Sequence, residues 1–369
     1  MAADDQDRPW SFDVSSLMIL ISEDEEINYR LSQRSLVQCL VATPVVGLQS
    51  YLRNYNFLSE TASLVYFLPY GVNAAQLGNM RLHHAIRYGK LLKDGTYTVL
   101  KIPAWDHSHS ISATRRICPA HVLLVIWTMF TWIFLAGVLV FLNMVKGITW
   151  IGISTCTSFI GWSIILRLVE YLNIEHSPSD MSSVAEPNAR DAAFIIGRAN
   201  SAVVLEGSRR DIRDWTAQGP TYKSKPWGVS AVVWQAATRT GTVFMLLAIF
   251  CLVPNGSTMD QVAFIIINFL AQVNVVAGQR LNSRCYLSQL EQLDQYDMPT
   301  RTHVYAALIT RYKELVDKNK DWVRALGILP QTDEWNEWKD LILSGSNRDP
   351  KELYKSLLHK PKAKTTNSP

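Results

Sequence analysis

The chain has 369 residues, 48% of them hydrophobic and 18% charged, with a formal net charge of +4 and a mean hydropathy of +0.03. That length allows more than one domain, and that hydropathy is too polar for a chain lying wholly in a bilayer. Lys and Arg are interleaved with Asp and Glu over most of the length, which leaves no basic face for nucleic acid and excludes it as an expected partner.

Residues 1–117 form an N-terminal region that opens on acidic residues with no apolar core behind them, so no cleavable signal peptide is expected. The run Glu23-Asp-Glu-Glu26 lacks the DDxxD spacing of magnesium-binding prenyl chemistry and reads as a solvated face. Two weaker uncharged segments follow, 35–52 and 61–80, each interrupted by proline and amides. They read either as a spanning hairpin or as helices packed at the membrane interface or against the bundle. Thr96 to Ile102 is β-branched and aromatic, stops at Pro103, and predicts a short strand.

The first strong membrane signal is Cys118 to Val145. No Asp, Glu, Lys or Arg occurs between Arg116 and Lys146, and about 20 residues at about 1.5 Å each cover a hydrocarbon core of about 30 Å. Ile148 to Leu166 is the second span and completes a transmembrane hairpin over 118–166. Trp150 and Trp162 are expected at its two interfaces, and Ser154, Ser158 and Gly161 form a small-residue face for a neighbouring helix.

Residues 167–226 are polar and predict a ββα insertion: strands at Ala193 to Ile196 and Ser201 to Leu205, then a helix capped by Ser208 and running through Trp215. The second hairpin, 227–279, holds the third and fourth spans, Val229 to Val253 and Gln261 to Gly278. Residues 280–369 read as a helical region with a polar, disordered tail. The fold class expected is thus mainly α: a helical integral membrane protein with four transmembrane helices in two hairpins.

Lys and Arg cluster before the first span, between the second and third, and in the tail. The positive-inside rule therefore puts both termini, the ββα insertion and the C-terminal region in the cytosol. The sequon at Asn255 falls on the other side, too near the bilayer to be used. The five cysteines are scattered without metal-ligand spacing and read as apolar fillers.

The segment Phe194-Ile-Ile-Gly-Arg-Ala-Asn-Ser-Ala-Val-Val-Leu-Glu-Gly-Ser-Arg-Arg-Asp-Ile-Arg-Asp-Trp-Thr-Ala-Gln-Gly219, set between two transmembrane hairpins, resembles a group of uncharacterised integral membrane proteins of filamentous fungi. Some members of that group are encoded beside secondary-metabolite genes. The resemblance implies an internal membrane of endoplasmic-reticulum type, with the plasma membrane as the alternative, and an accessory role in a biosynthetic pathway. It transfers no site residues.

Three sets of residues are candidates for function. His83, His84, His107, His109 and His121 gather before the first span and could bind a metal, although no HxxxH or HxxHH box is present. Gln261, Asn268, Gln272 and Gln279 form an amide stripe on the fourth span, which either packs against another helix or lines a polar path. Arg239 leaves only 14 uncharged residues after it in the third span, about 21 Å of helix, so it must enter the hydrocarbon edge. Gln235 shares its face.

No dinucleotide, P-loop, serine-hydrolase or zincin motif occurs, and no cofactor is expected. The reading favoured is a non-enzymatic scaffold or transport accessory in a secondary-metabolite pathway. The alternatives are a membrane-embedded biosynthetic enzyme using the 83–121 histidines, and a small carrier lined by the polar stripe. The partners expected are membrane lipids, membrane-associated proteins of the same pathway and a second copy of the chain.

Overall fold

The computed structural model describes residues 23–33, 35–52, 63–70, 72–103, 119–144, 147–176, 186–217, 219–223, 228–316, 321–346 and 348–359. Among the described residues the protein is mostly helical, with four helices long and apolar enough to cross a membrane and a sheet beside them.

The four long helices are α4 (Pro119–Met144), α5 (Trp150–Asn173), α7 (Ala231–Asn255) and α8 (Thr258–Leu287). The shortest has 24 residues, about 36 Å of helix against a hydrocarbon core of about 30 Å. α8 packs against α4 and α5, and α5 against α7. Their outer surface is apolar: Ile133, Phe141, Val232, Phe244 and Phe269 are each 64–72% exposed. An exposed apolar surface of this extent marks a membrane or protein interface.

Two of these helices outrun their apolar cores. α5 continues seven residues past Leu166, and α8 nine past Gly278. Trp162 therefore lies within α5 rather than at an end, and packs on Gly241 of α7, where a Cβ would sit 2.1 Å from its ring. Its indole donates to the Thr242 hydroxyl at 3.3 Å. Nor do the small residues of α5 meet a neighbour as predicted: Ser154 and Ser158 are exposed, and nothing lies within 4 Å of a Cβ built on Gly161.

The six-stranded sheet has the order β2-β1-β5-β6-β3-β8. Its strands are β1 (Val65–Leu68), β2 (Asn73–Gln76), β3 (Thr96–Lys101), β5 (Arg190–Ile196), β6 (Ala202–Ser208) and β8 (Glu291–Asp297). β3 runs parallel to β6, and the other pairings are antiparallel. The ββα pattern is present, with Ser208 capping α6 (Arg209–Thr216) through a bond from the Asp211 N–H. It is the middle of a sheet assembled from four stretches of chain, rather than a separate insertion.

Both faces of the sheet are covered, which explains why β5 and β6 are nearly continuous apolar runs. Phe194, Val99 and Val204 face the C-terminal helices α9 (Arg301–Arg311), α11 (Trp322–Ala325), α12 (Asp333–Leu343) and α13 (Pro350–Leu358). Ile195, Val203 and Leu205 face α3 (Met80–Tyr88), α6, the end of α8 and α1 (Glu23–Ser32). A short helix α10 (Lys313–Val316) follows α9. A separate pair, β4 (Ile174–His176) with β7 (Pro220–Tyr222), ties the end of α5 to the chain returning toward α7.

The two weak segments of the N-terminal region have different outcomes. Within 61–80 the described residues form the β1–β2 hairpin, not a helix. Within 35–52 the only helices are α2 (Leu36–Val41) and a 3-10 turn at Leu48–Tyr51, both too short to span; α2 packs on α4, α5 and α8, in line with the reading of a helix packed against the bundle.

Candidate functional site

The acidic run at 23–26 is not simply a solvated face. Helical spacing turns Ile27, Arg30 and Leu31 of α1 toward the interior, and Glu26 goes with them at 1% exposure. Opposite stands the part of α5 that lies beyond its apolar core, carrying Arg167 and Glu170, at 0% and 1% exposure. The two helices exchange charges in a crossed pair of ion bridges.

In the first, Arg30 Nε donates to Glu170 Oε1 at 2.6 Å, and Nη1 to the Ser50 carbonyl at 3.1 Å. Gln33 Nε2 and the Tyr51 hydroxyl donate to the other oxygen, Glu170 Oε2, at 3.2 and 3.0 Å. In the second, Arg167 Nη2 donates to Glu26 Oε2 at 2.8 Å and to the Ala42 carbonyl at 3.0 Å. Its Nη1 lies 2.7 Å from Glu26 Oε1, an ion pair whose angle falls short of a hydrogen bond.

Two tyrosines close the cluster. Arg30 lies 3.9 Å from the Tyr51 ring centroid and Arg167 lies 5.2 Å from that of Tyr29. Burial holds both phenols well above their ordinary pKa, so they stay as donors, Tyr29 to the Gln38 carbonyl and Tyr51 to Glu170. The junction joins α1, α2, the 3-10 turn and α5, and its chemistry is that of a lock.

The amide stripe of α8 feeds the same junction. Gln272 donates to the Glu25 carboxylate, and Gln279 to the Glu25 carbonyl at 3.0 Å, while Gln279 accepts from Tyr88. Asn268 turns back to the Phe264 carbonyl of its own helix at 2.8 Å, and Gln261 is buried further along. Gln235 and Arg239 are half-buried on α7. Asn274 is a residue the stripe missed: its Oδ1 accepts from Trp127 and Thr131 of α4, both at 3.1 Å.

Of the histidines, His83 and His84 are brought together on α3, with ring centroids 5.5 Å apart. His84 is buried, neither ring nitrogen has a partner among the described residues, and burial lowers its pKa to about 4. His107, His109 and the side chain of His121 lie outside the described residues. Among the described residues no group of three or more His, Cys, Asp or Glu could hold a metal.

At the far ends of α5 and α8 a second polar lock closes the two hairpins on each other. Asp260 accepts from the N–H and hydroxyl of Thr149 at 2.8 and 2.6 Å, and from the N–H of Ser257 at 2.8 Å. It thereby completes the capping box of α8 with Ser257 and ties that helix to Thr149, the residue before α5. The Ser257-x-x-Asp260 spacing is readable in sequence; the reach to Thr149 is not. No protein-family model, no curated protein and no solved structure matches this chain.

Proposed function

We propose that the chain is a multi-pass integral membrane protein whose four long helices span the bilayer and carry the sheet domain on the cytosolic side. Its role is that of a scaffold, or an accessory to transport, in a biosynthetic pathway. The observation that carries this reading is the ionic junction between α1 and α5, where four charged side chains are at most 2% exposed. A lock of that kind suits a domain held in fixed register to a membrane anchor. The positive-inside distribution supports the orientation. The pathway rests on the resemblance of residues 194–219 alone.

The test compares the metabolites of a deletion strain with those of its parent. A scaffold or transport accessory predicts that products fall or are retained in the cell while their chemical structures stay unchanged. Accumulation of one unprocessed intermediate would instead assign the chain a reaction of its own.

A further inference from the structure

A cleft of about 570 Å³ opens at one end of the sheet, where β5 ends, β1 begins and the C-terminal helices start. That is the size of a small-molecule site. Its wall is apolar, with Phe67, Leu92, Ile196 and Ile328. Its lining also includes two arginines, Arg198 and Arg301, against a single acid among the described residues, Asp94.

Both arginines sit on anchored backbone. Arg198 lies in the turn between β5 and β6, closed by a bond from the Gly197 N–H to the Ser201 carbonyl at 2.9 Å. A Cβ on Gly197 would stand 2.1 Å from the Ser201 hydroxyl, which would have to move to admit it. Asn200 pins the same turn across the sheet, accepting from the Gly95 N–H at 3.0 Å and donating to the Met298 carbonyl at 2.6 Å. Arg301 is oriented by its own neighbours: Nε donates to the Tyr305 hydroxyl at 2.6 Å and Nη1 reaches the Arg198 carbonyl at 3.5 Å. Among the described residues neither guanidinium has a carboxylate partner, and both side chains are exposed. Two arginines beside an apolar wall, one with its guanidinium oriented by Tyr305, match one oxyanion on an apolar body.

We infer that this cleft binds an amphipathic organic acid, a carboxylate or phosphate ester with an apolar body, gripped by Arg198 and Arg301. Equilibrium dialysis of decanoate against the full chain in nanodiscs of phosphatidylcholine, with empty nanodiscs as background, tests it. The expected result is saturable binding of one decanoate per chain, weakened about tenfold by Arg198→Ala or Arg301→Ala, and less by Arg198→Lys. Decanol should not compete. Arg198→Ala should also leave the unfolding midpoint unchanged, since that exposed side chain holds nothing else.

Phosphatidic acid in the nanodiscs separates the sources. If it weakens decanoate binding, the acid is a bilayer lipid; if not, it is a free metabolite, and either result keeps the site. No saturable binding, equal binding by the double alanine variant, or competition by inorganic phosphate as strong as by decanoate would overturn the inference.

Discussion

At the scale of single residues, the buried charges decide the stability of the junction. Removing one member of a buried pair leaves its partner charged and unsatisfied, at a cost of about 3–5 kcal/mol, whereas replacing both by apolar groups is often close to neutral. Arg167→Ala should therefore lower the unfolding midpoint sharply, because Glu26 is left at 0% side-chain exposure with its one ion-pair partner among the described residues gone. Arg167→Met combined with Glu26→Leu should recover most of that loss. Thermal unfolding in one detergent checks both; a double variant as unstable as the single would show that shape, not charge, holds the site.

Two further buried groups set opposite pH dependences. Burial lowers His84 from 6.5 to about 4, so the unfolded chain takes up the proton first and stability is lost as pH falls through that window. Burial raises Asp191 from 3.8 to about 6, despite the bond it accepts from the Ala192 N–H, so the folded chain keeps its proton and stability is lost as pH rises from about 4 to 6. Each effect is worth about 3 kcal/mol and the windows overlap, so in the wild type they largely cancel. His84→Leu should thus gain stability, relative to wild type, as the pH drops from 6.5 to 4, and Asp191→Asn should lose it. Unfolding midpoints measured across that range check the signs; parallel curves for all three proteins would contradict them.

At the scale of elements, the two hairpins are joined by one side chain. Asp260→Ala leaves the Ser257 cap of α8 in place but removes the acceptor of three hydrogen bonds, from the Thr149 N–H and hydroxyl and the Ser257 N–H, and at about 1 kcal/mol per bond should cost about 3 kcal/mol. Thr149→Val removes only one contact to that carboxylate and should cost less. Unfolding of the two variants side by side separates a shared tie from a single contact.

The long helices are legible from sequence because nothing else buries such uncharged runs, and the ββα unit because Ser208 and its alternating neighbours declare themselves. The rest was hidden for identifiable reasons. β8, Glu-Gln-Leu-Asp-Gln-Tyr-Asp, is an edge strand exposed along most of its length, so it carries no alternation to read. β1 and β2 lie in an uncharged stretch whose length resembles a span, and only pairing with β5 reveals a hairpin. The junction was least legible of all. Glu26 and Arg167 are 141 residues apart, and each alone reads as an ordinary charge at the end of a helix.

At the scale of the whole molecule, the arrangement is polarised. The starts of α5 and α8 meet at Asp260, while the sheet, the ionic junction and the C-terminal helices gather toward the other ends of those helices. The long helices between carry an apolar outer surface. The proposed orientation, with the lysine- and arginine-rich segments in the cytosol, follows this polarity.

A reporter active only in the cytosol tests that account most directly, fused after Pro369, inserted at Ser182 and inserted at Gly256. Signal from the first two and none from Gly256 is the predicted result. Signal from all three, or from Gly256 alone, would contradict a four-span protein with its sheet domain in the cytosol.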